Sequence, residues 1–188
     1  PLLIVASIFI VQSGMEVRQV FYVNGHSLAD IAINTVNQKV DFYKNVLDST
    51  IANEDFDVKH DPEFRRLRDK LKTITDSESS ILNFYFCSAQ DDFIQALDAQ
   101  IDISPTAESW YQDTTANPNE VIFEPPYVDS VTGNMTFSIY KAVQKNNQVI
   151  GLLGLDISLS DLSPQLEAIK YGTQGDLIVT DSQGSVIV

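Results

Sequence analysis

The hydrophobic positions change period along the chain, and the changes mark its elements. Leu28, Ala32, Val36, Val40, Tyr43, Leu47 and Ile51 recur every three or four places, one stripe on a long helix whose other faces carry Asn34, Gln38 and Lys44. A second helix is predicted in "DPEFRRLRDKLKTI", with Asp61 as cap, Pro62 in first position, and Phe64, Leu67, Leu71 and Ile74 along one side. Its basic residues form a solvated face. At Ile81 the chain turns to strands: "ILNFYF" reads as a buried strand, "AQDD" as a turn and "FIQAL" as a returning strand. "PTAESWYQDTTA" is helical again, opened by Pro105 and closed by Asn117-Pro118.

The last third alternates. "EVIFEPPYVD", the turn "SVTGN" and "MTFSIYKAV" predict a hairpin with one core face, Met135, Phe137, Ile139 and Val143 against Thr136, Ser138, Tyr140 and Ala142. After a turn at Asn146-Asn147, "VIGLLGLDI" puts Val149, Gly151, Leu153, Leu155 and Ile157 on one face. Ile150, Leu152, Gly154 and Asp156 lie on the other. A helix, "SDLSPQLEAI", and a closing hairpin, "DLIVTDSQGSVIV", complete the series. Long helix, mixed stretch, meandering strands and helix together predict an α+β fold on an antiparallel sheet.

The opening run "PLLIVASIFIV" is shorter than the roughly 20 apolar residues a spanning helix needs. The chain starts on proline and breaks off in the β-like "SVIV", so we read it as a segment of something larger, with residues 1–12 the end of a transmembrane helix. A buried helix and the remnant of a signal peptide are the competing readings. Gly25 and His26 mark a kink or the membrane exit.

Charge narrows the function. Among 188 residues, 12 are Lys or Arg and 26 are Asp or Glu, a formal net charge of −14, which disfavours nucleic acid and anionic lipid as partners. The single cysteine, Cys87, lies in an apolar run and reads as a small buried side chain, without a disulfide or zinc framework. His26 and His60 are isolated. No glycine-rich phosphate loop, nucleophile elbow or His-Glu-x-x-His motif is present, so no cofactor and no metal is called for.

Four blocks in order, "ESWYQDTTA", "PPYVDSVTGNMTFSIYKAV", "VIGLLGLDISLSDL" and "GTQGDLIVTDSQGSVIV", resemble the double Cache (dCache) sensor domain of bacterial transmembrane receptors. The resemblance implies a membrane-distal PAS-like module with a central antiparallel sheet flanked by helices, reached by a long stalk helix. It divides the chain into a transmembrane end at 1–12, a stalk at 13–52, a distal module at 53–170 and the start of a membrane-proximal module at 171–188. It also implies a small-molecule ligand, a homodimer formed through the long helix, an extracytoplasmic position in a membrane-anchored receptor, and no catalytic activity in this segment.

In amino-acid-binding members an Arg-x-Trp-Tyr element holds the ligand carboxylate, while a tyrosine and a strand aspartate hold its amino group. Trp110, Tyr111, Tyr127 and Asp156 match. The arginine position is Glu108, and the tyrosine expected five places earlier is Ile103. An arginine fork pairs bidentately with a carboxylate, and glutamate there repels one. If Glu108 faces the cavity, then Glu108, Asp129, Asp156 and three aromatic rings favour a cation, through contacts of about 0.5–2 kcal/mol per cation–π geometry and about 1.5–3 kcal/mol per charged hydrogen bond.

Each of these residues has a plainer role open to it. Trp110 and Tyr111 diverge by about 100° on a helix, so one belongs to the core and the other to a pocket. Tyr127 can pack an edge strand, Asp129 can start the "VDSVTG" turn, and Asp156 can face the next helix instead of a ligand. Two other functions stand beside ligand sensing: a ligand-free structural or dimerisation module, and a hydrolase using Asp129 and Asp156 as an acid–base pair.

Overall fold

The computed structural model describes residues 5–7, 15–58, 60–99, 103–161 and 178–180. It divides the chain into two compact units: residues 43–158, and residues 1–42 with 159–188.

The second of these units holds most of helix α1 (Met15–Asn53) and a two-stranded antiparallel sheet, β1 (Val5–Ser7) with β8 (Ile178–Thr180). The expected transmembrane end at 1–12 lies largely outside the described residues, and the three described within it form a strand instead of a helix. A short run rich in β-branched residues does not distinguish strand from helix by periodicity. Among the described residues no helix is long and apolar enough to cross a membrane. The helix predicted after Ser160 and the closing turn at 181–184 fall outside the described residues. The α1 helix runs unbroken through Gly25 and His26, and Ala32 and Val36 of the predicted stripe are buried.

In the unit of residues 43–158, the end of α1 is followed by α2 (Asp61–Ser77), β2 (Ile81–Ser88), β3 (Phe93–Gln95), a 3-10 turn (Pro105–Ala107) and α3 (Ser109–Ala116). Strands β4 (Val121–Phe123), β5 (Tyr127–Val128), β6 (Met135–Lys145) and β7 (Gln148–Ser158) complete it. The antiparallel sheet runs β3-β2-β7-β6-β4, with β5 also on β6. The cap of α2 is His60, one place before the expected Asp61; Glu63 reaches back and accepts the His60 backbone N–H at 2.7 Å.

Residues paired across strands share a sheet face. One face carries Phe84, Phe86, Leu153, Leu155, Ile157, Ile139 and Phe137, all buried. Tyr43 and Leu47 of α1 and Leu67 and Leu71 of α2 are buried with them, Tyr43 edge-on to Phe137 with ring centroids 6.3 Å apart. The Tyr43 hydroxyl donates to Ser80 at 2.8 Å, so a polar tip inside the core is satisfied.

The alternation predicted one core face for this hairpin, and the structure buries both. Thr136, Ser138, Tyr140 and Ala142 are buried as well, because α3 packs across this side: Tyr111 joins Tyr85, Cys87, Tyr140 and Leu152 in a second cluster, with Phe93, Trp110 and Ile122 against it. Helices on both faces turn an alternating strand into one buried on both sides.

Candidate functional site

The face beneath α3 is built from three adjacent strands. Gly154 of β7 pairs with Tyr85 of β2 on one side and Tyr140 of β6 on the other, and Asp156 pairs with Asn83 and Ser138. Gly154 makes the arrangement possible: a Cβ there would stand 2.4 Å from Cε2 of Tyr85 and 2.5 Å from its Cζ. Lacking a side chain, β7 lets the Tyr85 ring lie over it and reach Asp156.

Asp156 is the chemical centre. It is 9% exposed and accepts hydrogen bonds from Tyr85 Oη at 3.0 Å and Ser138 Oγ at 2.7 Å, both on Oδ1. Since Ser138 spends its one proton on Asp156, the 2.9 Å contact between Tyr127 and Ser138 has Tyr127 as donor. A relay Tyr127 to Ser138 to Asp156 results. No described residue places a donor on Oδ2, and no Lys, Arg or His side chain pairs with Asp156 among the described residues. Burial pushes the Asp156 carboxyl up from 3.8 to about 6; the Ser138 and Tyr85 hydroxyls pull it back, and the charges of Asp129 and Glu124 raise it further. Burial and then Asp156 also hold the Tyr85 phenol well above its usual range, so Tyr85 stays a donor.

Aromatic rings wall this centre. Trp110 stacks on Tyr140 with centroids 5.0 Å apart and planes within 10°, and stands edge-on to Tyr85 at 6.3 Å. Phe93 closes the far side of Tyr85 at 5.2 Å. A second acid enters from β4's end, where Tyr140 Oη donates to Glu124 Oε2.

Of the six residues singled out from sequence, four meet here. Trp110 is the half-buried wall; Tyr111 is buried in the core cluster and directs its hydroxyl to the Ser88 carbonyl at 3.4 Å; Tyr127 and Asp156 share the relay. The division of Trp110 to pocket and Tyr111 to core follows their divergence on the helix. The other two stand apart. Asp129 Oδ1 accepts the Val131 and Thr132 N–H groups and the Thr132 hydroxyl in its own turn, so the acid–base pairing with Asp156 gains no support. Glu108 is exposed at the break between the 3-10 turn and α3, and its side chain makes no hydrogen bond or ion pair among the described residues.

Sequence reasoning missed Tyr85, Ser138, Tyr140, Phe93 and Glu124, and also Asp91, which anchors the approach to α3. Asp91 adopts a left-handed φ of 71° and accepts the Ser104 hydroxyl at 2.7 Å, the Thr106 N–H at 3.0 Å and the Thr106 hydroxyl at 2.9 Å. Those bonds hold its carboxyl below the usual range. An acid in the "AQDD" turn was the available signal.

Comparison with known proteins places this geometry in a family. Residues 33–164 match the family described as methyl-accepting chemotaxis protein-like, first PDC sensor domain. The methyl-accepting chemotaxis protein McpC of Bacillus subtilis is 27% identical over 125 residues, 65% of this chain and 19% of the relative. McpA of Pseudomonas putida is 29% identical over 126 residues, 64% of this chain and 19% of the relative. The matched stretch is thus about a fifth of these relatives' length. In fold the chain is similar to the sensory domain of the Campylobacter jejuni chemoreceptor Tlp3 with isoleucine bound, at a TM-score of 0.74 and 20% identity over 92% of this chain and 72% of that one. It is also similar to the ligand-binding domain of the Pseudomonas fluorescens chemoreceptor CtaA in complex with L-serine, at 0.71 and 20% over 93% and 73%. With a family match running from within α1 through β7, the chain belongs to the methyl-accepting chemotaxis protein-like first PDC sensor domains.

Proposed function

We propose that this segment is the distal part of a double Cache ligand-binding domain in a membrane-anchored chemoreceptor, placed outside the cytoplasm, and that it takes a small ammonium-bearing ligand between α3 and the β2-β7-β6 face. The observation that carries this is Asp156: a buried carboxylate with both hydroxyl partners on one oxygen and, among the described residues, no donor on the other oxygen and no basic side chain paired with it. An ammonium group at Oδ2 would supply the missing counter-charge, and the rings of Trp110, Tyr140 and Tyr85 would face its substituents. Glu124 and Asp129 add negative potential. A primary amine with a small apolar substituent fits this chemistry directly.

An α-amino acid is the second reading, favoured by the similar domains solved with isoleucine and L-serine. Its ammonium would use the same Asp156 oxygen, but Glu108 stands exposed at the position where an arginine would serve, and the described residues of the site carry no cation for its carboxylate.

Signalling follows from the two faces of one strand. Ser138 touches Asp156 while its neighbour Phe137 packs on Tyr43 of α1, so a ligand that shifts β6 changes the seat of the long helix. Dimerisation through that helix would carry the shift onward. Titration calorimetry with isobutylamine and with L-valine tests the reading: isobutylamine should bind, and Asp156→Asn should weaken it by about tenfold or more. Binding of L-valine alone would select the second reading, and amine binding indifferent to Asp156→Asn would refute both.

A further inference from the structure

An open groove of about 490 Å³ lies away from Asp156, between α2 and the edge strand β3. Its chemistry is the opposite of that beneath α3. Phe64, Phe93 and Leu97 give it apolar walls, and Arg65 and Arg68 bring two guanidinium groups to it from one side of α2. In a chain of net charge −14, two guanidinium groups and apolar surface coincide in this groove.

The arginines differ in their commitments. Arg68 pairs with Asp98 in the open, their side chains 45% and 75% exposed, so the pair is screened and exchangeable. Arg65 makes no hydrogen bond or ion pair among the described residues. The floor is better ordered: Gln95, 8% exposed, donates to the Ala99 carbonyl at 2.5 Å and accepts from Asn83 at 3.2 Å, which fixes the strand behind the groove.

We propose that this groove is a second ligand site, for a small monocarboxylate with an apolar body. The carboxylate displaces Asp98 from Arg68 and bridges to Arg65, since a guanidinium fork accepts a planar carboxylate bidentately. The apolar body lies against Phe64 and Phe93. Phe93 also packs on Tyr85, the phenol that donates to Asp156, so an occupant of the groove touches a ring shared with the other site. The proposal does not depend on what binds at Asp156.

Benzoate is the probe, titrated calorimetrically into the whole chain, with benzyl alcohol as its uncharged counterpart. Benzoate should bind saturably in the millimolar range or tighter and benzyl alcohol should not. Arg68→Ala and Arg65→Ala should each weaken benzoate by about threefold to tenfold. Asp98→Asn should tighten it, because the competing carboxylate is gone, and Asp156→Asn should leave it unchanged. Circular dichroism checks that each variant is folded; all three groove positions are exposed at the side chain or on a helix surface. Absence of benzoate binding, equal binding of benzyl alcohol, loss of binding in Asp156→Asn, or weakening by Asp98→Asn would each overturn the proposal.

Discussion

Replacing Gly154 by alanine probes the centre of the site with one methyl group. The new Cβ would fall 2.4 Å from Tyr85 Cε2 and 2.9 Å from its hydroxyl oxygen, inside any real carbon contact. Tyr85 has nowhere to retreat, because Phe93, Trp110 and Tyr140 stand around it at 5.2, 6.3 and 6.5 Å. Overpacking of this kind costs about 1–3 kcal/mol, and pulling the phenol off a carboxylate costs about 1.5–3 kcal/mol more. Restricting the unfolded chain returns only about 0.4–1 kcal/mol. The net expectation is a loss of about 2–5 kcal/mol, a large part of the roughly 5–15 kcal/mol that holds a domain folded. Urea unfolding followed by the emission of Trp110, the only tryptophan, reads both the midpoint and the disturbed wall. On a Tyr85→Ala background the same methyl should cost less than about 1 kcal/mol, since the ring it strikes is absent. An unchanged midpoint and emission in Gly154→Ala, or an equal cost on both backgrounds, would refute the steric account.

Other outcomes follow from the same geometry. Asp156 has its folded value raised from 3.8 to about 6, so the native state binds the proton more tightly than the unfolded chain; its contribution is full below about pH 4 and is lost as pH rises through about 6, by up to about 3 kcal/mol. Asp156→Asn keeps an acceptor for Tyr85 and Ser138 and should flatten that slope in thermal melts at successive pH values, leaving the variant more stable at pH 7 and defective in amine binding. Asp91→Ala removes three bonds from the Ser104–Thr106 segment and should speed amide exchange at Thr106 and through α3 without unfolding the sheet, measured by hydrogen exchange. Leu71→Ala, fully buried between α2 and the sheet, should cost about 2–5 kcal/mol in denaturant unfolding and leave the Asp156 network intact.

The helix stripe was legible because period alone settles it: Tyr43 and Leu47 fell on the buried side as their spacing required. Trp110, Tyr111, Tyr127 and Asp156 were legible through resemblance, but not their partners, because partners depend on register. The two-residue turn at Asn146-Asn147, both at positive φ, would by itself set Asp156 opposite Phe137. A bulge between Val143 and Gln144 moves the register by one place, so Asp156 faces Ser138 instead. The local hint was Gly151, beside the shift. Tyr140 was placed opposite the predicted core face of its strand, since nothing local announces that α3 will fold over it. Glu108 shows the limit from the other direction: the family position is recognisable, yet its side chain stands exposed at a helix start.

The pairing of β6 with β7 also bears on the order in which the site comes into being. These strands are joined by two residues, so closing the hairpin costs little chain entropy, and Ser138 reaches Asp156 within that local event. Tyr85 is separated from Asp156 by 71 residues and arrives only when β2 docks along the far edge of β7. The carboxylate thus acquires its first hydroxyl early and its second late. Until β2 docks, contact order leaves the acid with one hydroxyl partner and open to water.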